Sequence, residues 1–496
     1  MFDRRLSAGR RRRGACVLPA VLAVALAVAP LEAAPPAAAQ NLPDLGEASQ
    51  ADFSPAEERR IGEAIMRDIR RDPAYVADPE VSAYVQRLGD RLAGAYASGT
   101  QSFEFFVVRD PQVNAFALPG GHVGLHTGLL LTAQTESELA SVVAHEIAHV
   151  VQRHMARMVT KQSQLQLASM AALALALLAA RSSPQVAQAA AVASQAAPLQ
   201  AALSYSRDFE READRVGFQM LESAGYDVQG APDFFERLQR SSRLYENNAP
   251  GYLRSHPVTL ERIADMQNRA QEARLRQHVD SIEFGLVRAK LRAEAGRPEE
   301  AVAHFSERLR ERRFTSEQAA RYGYAAALLR ANDFGAAAAE AERVRLAGLH
   351  HPMVETLAAR IKGAAGDHAG AVALLASASA RYPQNLGVGY GYVTALQAAG
   401  RHREAVEALA EIVRRDPRNP KAYELRARSF AALGMRTEQH RMLAEVYLLQ
   451  GSVPAAIEQL QLAQRAGDAD FFVLSAVDAR LRELRRVRDE ALRARK

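Results

Sequence analysis

The 496-residue sequence contains one cysteine, Cys16. It lies in a segment built like a secretory signal peptide, with arginines first, then the apolar run "ACVLPAVLAVALAVA", then small residues ending in "PPAAAQ". We predict that residues 1–39 are a cleaved signal peptide, with an uncleaved membrane anchor as the alternative. The remaining residues have no cysteine, which excludes thiol catalysis, thiolate metal ligands and disulfides, and makes an oxidising compartment harmless to the chain.

A strong net charge is also missing once the signal peptide is set aside. The chain has 63 basic and 57 acidic residues, and residues 1–39 hold six of the basic and two of the acidic ones. The rest therefore carries 57 basic against 55 acidic residues. This near balance gives no reason to expect nucleic-acid binding.

Long apolar runs are scarce after the signal peptide. The run "LASMAALALALLAA" at 167–180 has 14 residues, fewer than the roughly 20 that a membrane-spanning helix needs. A membrane-spanning helix is therefore disfavoured there. We predict that residues 162–206 form an apolar helical insert or lid, which packs beside the functional site or touches a membrane surface or hydrophobic client.

The remaining patterns predict a mostly helical α+β domain. After a polar linker at 40–53, Ser54-Pro55-Ala56-Glu57 is typical of a helix N-terminus. Short β-rich runs follow in "FEFFVVRD", "NAFALPG" and "HVGLHTGLL", and predict a small sheet. Thr135 and Glu138 then form a second capping box, which opens the helix carrying the stretch "VVAHEIAHVVQRH".

That stretch places His145 and His149 four residues apart with Glu146 between them. On a helix the two histidines lie on one face, about 40° apart, and can bind one zinc ion. Glu146 points about 100° further round, where it can reach a water on that ion and act as the general base. The pattern is short, so a catalytic zinc site needs a third protein ligand from elsewhere in the chain.

"EREAD" at 210–214 supplies candidates for that ligand. Glu210 completes a set of two histidines and one glutamate, which leaves the fourth zinc position open, as in catalytic sites. Asp214, four residues on, is placed to accept a hydrogen bond from the second nitrogen of a ligating histidine. The alternative is a solvated acidic face whose carboxylates pair with neighbouring arginines.

The C-terminal part of the chain is repetitive from about residue 285. Gly366, Gly400 and Gly434 are 34 residues apart, and each precedes a helix start such as "GRHREAVEAL". A helix–turn–helix period of 34 residues is the tetratricopeptide signature. We predict four to six such repeats over 285–475, followed by a charged capping helix at 476–496.

Taken together, "HEIAH", "EREAD" and "SHPVTLER" at 255–262 resemble the zinc endopeptidases grouped with the CAAX prenyl proteases and the mitochondrial Oma proteases. The resemblance covers nearly all of the chain after the signal peptide, except the Ala-rich segment 162–206. It implies a zincin-like metallopeptidase domain at 54–275 that binds one Zn²⁺. It also implies a periplasmic location, with possible outer-membrane association.

The resemblance assigns further residues. His256 corresponds to a histidine that can fill the fourth zinc position in a latent form; read alone, it is a surface loop residue. Arg262 corresponds to an arginine that could stabilise the oxyanion, with an ion pair to Glu261 or Asp265 as the alternative. The segment 114–130 matches a strand that pairs with extended substrate, which makes Asn114, Phe116, Ala117 and Gly120 candidate substrate-binding residues; a purely structural strand is the alternative.

These observations predict a periplasmic zinc endopeptidase that cleaves misfolded or stalled outer-membrane proteins. The resemblance implies that the repeats dock the outer-membrane β-barrel assembly machinery. The competing hypothesis is a latent or structural-zinc chaperone or adaptor with little protease activity. The remaining histidines, including His122, His126 and His154, are predicted to be structural or on the surface. His154 lies five residues beyond His149, which rotates it off the ligand face.

Overall fold

A computed structural model describes residues 54–96, 101–159, 207–243, 251–274 and 276–493. The predicted signal peptide, the linker 40–53, the insert 162–206 and the last three residues lie outside these ranges. Within them, no helix is both long and apolar enough to cross a membrane.

The described chain contains 21 helices and three strands. The first half runs α1 Pro55–Ile69, α2 Pro79–Tyr96, β1 Glu104–Val108, β2 Ala115–Leu118, β3 His122–His126, α3 Thr127–Thr132, α4 Glu136–Val151, α5 His154–Val159, α6 Arg207–Ser223, α7 Gly230–Arg243, α8 Gly251–Ser255 and α9 Leu260–Glu272. The second half is all helical: α10 Ile282–Glu294, α11 Pro298–Arg310, α12 Glu317–Arg330, α13 Phe334–Leu346, α14 Pro352–Ala364, α15 His368–Arg381, α16 Leu386–Ala398, α17 His402–Arg415, α18 Pro420–Ala432, α19 Arg436–Leu449, α20 Val453–Arg465 and α21 Phe471–Arg493. This confirms the predicted fold class.

The three strands form one small sheet in the order β1-β3-β2. β1 is parallel to β3, whereas β2 is antiparallel to it, with Phe116 opposite Gly124. β2 therefore lies at an edge of the sheet, and it packs against α4. The run "HVGLHTGLL", predicted as a strand, divides between β3 and the short helix α3.

Both predicted capping residues act as expected. The Ser54 hydroxyl accepts from the Glu57 amide and the Thr135 hydroxyl accepts from the Glu138 amide, each at 3.2 Å. The Glu138 carboxylate reaches back to the amide of Gln134 rather than to that of Thr135. These bonds fix the start of α4, and its residues from Glu136 to His149 are all buried.

The repeat helices end in left-handed turns. Gly366, Gly400 and Gly434 all have positive φ, between 72° and 89°. Asn332, 34 residues before Gly366, takes the same conformation with φ 62°, which asparagine tolerates better than most residues. The period thus continues one repeat earlier than the glycines alone indicate.

A buried ion cluster joins the first half to the repeats. Lys290 on α10 places its ammonium 2.5 Å from an Asp78 carboxylate oxygen and 2.6 Å from one of Glu80. The hydroxyl of Thr356 on α14 donates to the other Glu80 oxygen at 2.5 Å. Two repeat helices therefore bind the start of α2.

Candidate metal centre

The site is built where α4 and α6 pack closely. Glu210, Ala213, Asp214 and Gly217 recur at helical spacing on the buried face of α6. A side chain at position 217 would place its first carbon 3.1 Å from the backbone nitrogen of His145, so glycine permits this close approach. The two carboxylates are thereby brought against the histidines of α4.

Four predicted residues converge on one buried point. His145, His149, Glu210 and His256 each offer a ligand atom, and these atoms lie within 4.8 Å of one another. Nε2 of His145 lies 2.9 Å from Nε2 of His149 and 3.3 Å from Nδ1 of His256. Nδ1 of His256 lies 2.9 Å from Oε1 of Glu210, which is itself 3.5 Å from Nε2 of His149.

These residues fit a zinc ion. A tetrahedral ion with ligand distances of about 2.1 Å separates neighbouring ligand atoms by about 3.4 Å, close to the spacings observed. Three imidazoles and one carboxylate also form a nitrogen- and oxygen-rich set that zinc prefers. Burial explains how the set forms without competing water.

The charges of the cluster favour a cation. Burial alone would lower the pKa of His145, but hydrogen bonding to Asp214 and Glu210 outweighs it and raises that pKa to about 9. Burial likewise opposes ionisation of Glu210, but His256 and His145 hold its pKa well below the usual value. Burial, and next the charge of His145, lower the pKa of His149. The centre therefore attracts positive charge, as a proton or as a metal ion.

Glu146 lies beside this cluster, not in it. Both of its carboxylate oxygens are buried and form no hydrogen bond of standard geometry. Burial raises the pKa of Glu146 above the usual value, which strengthens it as a proton acceptor. Nε2 of His256 is 3.5 Å from one of these oxygens, so one ring nitrogen of His256 faces Glu146 while its Nδ1 faces Glu210.

His256 is held in this place by α8. Its amide donates to the Tyr252 carbonyl at 2.8 Å, and its ring stacks on the Tyr252 ring at 4.8 Å. Tyr252 is completely buried, and no motif in the sequence singles it out. The surface-loop interpretation of His256 is wrong, since the residue is buried against the cluster.

Asp214 and Arg262 brace one side of the cluster. Asp214 Oδ1 lies 3.0 Å from Nδ1 of His145. Arg262 donates to both oxygens of Asp214, at 2.6 and 2.7 Å, and lies 2.8 Å from Oε2 of Glu210. Burial opposes the charge of Arg262, but these carboxylates raise its pKa above the usual value.

This pairing corrects one interpretation of Arg262. Glu261 pairs with Arg211 and Asp265 with Arg269, so the alternative ion pairs are wrong. All three guanidinium nitrogens donate to acceptors of the protein, which are the two Asp214 oxygens and the Pro257 carbonyl. The geometry makes Arg262 a residue that positions carboxylates, and a role at an oxyanion stays a prediction.

The candidate substrate-binding residues lie next to the site. Phe116 and Ala117 are on edge strand β2, and Asn114 directly precedes it. The Asn114 carbonyl accepts from the His126 amide at 3.0 Å, which continues the pairing of β2 with β3. Gly120 lies in the following turn with φ 82°. Substrate pairing along this edge stays a prediction.

The contact of His154 with the candidate metal ligands was not predicted from the sequence. His154 was expected to lie away from the ligand face, yet its Nδ1 is 2.9 Å from Nδ1 of His149. Its Nε2 lies 3.2 Å from a carboxylate oxygen of Glu212. Burial lowers the pKa of His154 to about 4.

His126 and His122 are also buried, beside Asp110 and Glu104.

Comparison with known proteins identifies the domain that carries this site. Residues 79–270 match the family described as Peptidase family M48, and residues 286–348 and 364–429 match tetratricopeptide repeats. This part of the chain is therefore similar to that peptidase family. This confirms the predicted resemblance, the metalloendopeptidase class of the domain, its zinc cofactor and the repeats.

Several curated proteins are similar to this chain. The Beta-barrel assembly-enhancing protease of Yersinia pestis is 28% identical over 90% of this chain and 92% of its own length. The protein of that name from Escherichia coli (strain K12) is 31% identical, but the match covers 55% of this chain and 56% of the relative, about half of each. The Mitochondrial metalloendopeptidase OMA1 of Arabidopsis thaliana is 33% identical over 43% of this chain and 41% of its own length.

Proposed function

We propose that the chain is a zinc endopeptidase of the bacterial periplasm that hydrolyses misfolded or stalled outer-membrane proteins. The observation that carries this proposal is the buried convergence of His145, His149 and Glu210 beside Glu146. The proposed peptidase domain spans residues 54–275, and the proposed repeat domain spans residues 285–475. The names of the Yersinia and Escherichia relatives support outer-membrane protein assembly as the setting.

In the proposed mechanism, His145, His149 and Glu210 hold one zinc ion. When bound, zinc supplies a Lewis acid that polarises the scissile carbonyl and makes an attacking water more acidic. Glu146 accepts the proton of that water and then delivers it to the leaving amine. Arg262 holds Asp214, which orients His145 through its second nitrogen.

Substrate binding is assigned to the edge of the sheet. β2 has β3 on one side only, so an extended peptide can add to its other side by backbone pairing. Such pairing reads little side-chain sequence, which suits an enzyme that removes misfolded proteins. Asn114, Phe116, Ala117 and Gly120 would line the peptide. The repeats, as protein-binding modules, would hold a client or the outer-membrane β-barrel assembly machinery.

The catalytic part of the proposal is tested with Glu146→Gln. This variant is expected to keep zinc and to lose casein cleavage by at least about 100-fold, because the general base is gone. Glu222→Gln, an exposed change on α6, is the matched control and should cleave like wild type. Undiminished cleavage by the Glu146 variant would overturn the mechanism.

A second candidate function, a latent protease that acts mainly as a chaperone or adaptor, is favoured by the position of His256. Its Nδ1 supplies the fourth potential ligand, where substrate or water would otherwise bind. His256→Ala is expected to raise basal casein cleavage by opening that position, while His350→Ala, at an exposed repeat residue, should not. Equal basal rates in all three proteins would remove the proposed latency but leave the protease intact.

A further inference from the structure

We propose that His154 and Glu212 extend ligand His149 into a hydrogen-bonded chain that fixes which nitrogen of His149 faces the metal. The inference rests on the proposed zinc endopeptidase function, and it assigns His154 as a positioning residue. It concerns two residues that neither the motif "HEIAH" nor the motif "EREAD" marks as ligands.

A break in the helix brings His154 to this place. On a continuous helix, five residues rotate a side chain by about 140°, which would turn His154 away from His149. Instead α4 ends at Val151, and Arg153 adopts a left-handed conformation with φ 51° before α5 begins at His154. The reversal returns the imidazole to the face that carries His149.

Arg153, the residue in the left-handed conformation, is held by a contact with another helix. A non-glycine residue in this conformation is strained, and such strain tends to persist where surrounding contacts fix it. Arg153 donates from Nε at 3.1 Å and from Nη2 at 2.5 Å to one carboxylate oxygen of Glu58 on α1. The first helix of the described chain thus supports the turn that positions His154.

The contacts allow one consistent placement of protons. Nε2 of His149 faces the other ligand atoms, so its Nδ1 carries the hydrogen when Nε2 is the metal-binding nitrogen. That hydrogen is donated to Nδ1 of His154, 2.9 Å away. His154 then carries its own hydrogen on Nε2 and donates it to Glu212 at 3.2 Å. Every polar atom along the chain has its partner.

Packing fixes the orientation of the His154 ring. The Phe209 ring stacks on it at 4.5 Å with an interplanar angle of 13°. The guanidinium of Arg157 lies over the Phe209 ring, 4.5 Å from its centroid, and donates to the Glu212 carboxylate at 2.9 Å. Helix α6 therefore supplies both Glu210 to the cluster and Glu212 to the outer end of the chain.

The two histidines of the motif are thereby supported in different ways. His145 meets the Asp214 carboxylate directly, in a completely buried pair. His149 meets its carboxylate through an intervening imidazole, and that carboxylate is about a third exposed. Partners of this kind typically contribute 10–100-fold to metal affinity, because they fix the tautomer and the ring orientation.

The test measures the zinc dissociation constant of the full chain by competition with a chromogenic chelator. His154→Phe keeps a ring to stack on Phe209 but has no acceptor, and it should weaken zinc binding 10–100-fold. His154→Asn restores an acceptor near the position of Nδ1 and should recover most of that affinity. Glu222→Gln serves as the control for a charge removed from α6 at an exposed position.

Glu212→Gln should weaken zinc binding less than His154→Phe does. The double variant should bind no more weakly than His154→Phe alone, because Glu212 acts only through His154. Zinc affinity of His154→Phe equal to wild type, equal losses in His154→Phe and His154→Asn, or additive losses in the double variant would each overturn the inference.

Two further measurements separate the possible causes. Unfolding of the metal-free variants reports packing, and it should change little between His154→Phe and His154→Asn. If His154→Phe does not fold, Glu212→Gln carries the test, and wild-type zinc affinity in that variant overturns the inference. A wild-type chain that binds no zinc would instead refute the proposed function itself.

Discussion

The peptidase half and the repeat half of the chain bury different chemistry. In the peptidase half, ionisable side chains converge on one buried centre, which holds three histidines, three carboxylates and an arginine. Among the described residues 276–493, the buried core is mainly alanine, leucine and valine, and buried charges such as Lys290, Glu340 and Glu355 are scattered. The peptidase half therefore depends on a few residues that other types cannot replace. The repeat half depends on a repeating helical pattern to which many residues contribute.

The difference has an energetic basis. A buried charge is costly unless it is paired. Removing one partner in the peptidase centre therefore leaves several other charges buried without a partner. In the repeats each helix packs mainly on its neighbours, and a local change stays local. Four substitutions test this contrast, beginning with the one expected to have the largest effect.

Arg262→Met should be strongly destabilising, because it leaves the buried carboxylates of Asp214 and Glu210 without their cation. We expect a loss of about 3–5 kcal/mol in the free energy of unfolding of the metal-free protein, measured by urea titration. In the repeats, Arg321→Met should cost less than about 1 kcal/mol, since Glu340 keeps its pairing with Arg343. Similar losses in the two variants would contradict the contrast.

Lys290→Met should weaken the connection between the halves. Burial disfavours the charge of Lys290, but Glu80 and Asp78 outweigh it and raise its pKa above the usual value. We expect a loss of about 1.5–3 kcal/mol, smaller than for Arg262 because Glu80 keeps its bond from Thr356. Calorimetry should show the unfolding transition broadening or splitting, while the exposed Lys362→Met should match wild type. An unchanged single transition in the Lys290 variant would show that the halves are joined by other contacts.

Gly400→Ala should destabilise the repeats by about 1 kcal/mol, because its φ of 72° is strained for alanine. Gly335→Ala is the matched control, since that glycine is within α13 and a methyl group there meets open space. The control should be neutral or stabilising. Thermal unfolding measures both, and zinc content should change in neither. A shift of the same sign and size in both variants would argue against strain at the turn.

Glu104→Gln should have the smallest effect, and one that depends on pH. Burial opposes ionisation of Glu104, but hydrogen bonds from His122 and Arg70 outweigh it and lower its pKa from 4.5 to about 2. A depressed carboxyl pKa contributes stability that is fully present above pH 4.5 and is lost as the pH falls through 2. Because the side chain is about a third exposed, we expect less than about 1 kcal/mol.

Urea titrations of wild type and Glu104→Gln at several pH values check this expectation. The difference in unfolding free energy should be greatest near pH 6 and should shrink steadily below pH 4.5. A difference that is constant between pH 6 and pH 3 would mean that the ionised form of Glu104 is not what stabilises the sheet.

The parts of the site that depend on helical spacing could be predicted from the sequence. His145 and His149 share a face because four residues make about one turn, and Glu210 and Asp214 do so for the same reason. Thr135 marked the start of α4 through its hydroxyl. These relations are local, so they can be inferred without knowing which helices meet.

The sequence did not reveal contacts that depend on a break in a helix or on packing. The rotation argument placed His154 off the ligand face, because it assumed that the helix continues through Arg153. The alternative interpretation of Arg262 paired it with its sequence neighbours Glu261 or Asp265, whereas its partners in the structure are Asp214 and Glu210 from α6.

The salt bridge between Glu58 and Arg153 bears on how the protein should be trimmed for laboratory work. The match to the M48 family begins at residue 79, yet Glu58 lies on α1, upstream of that boundary. A fragment cut at the family boundary would keep every expected zinc ligand and lose the brace behind His154. Expression of the peptidase alone should therefore start before Ser54, so that the first helix is retained with the domain it supports.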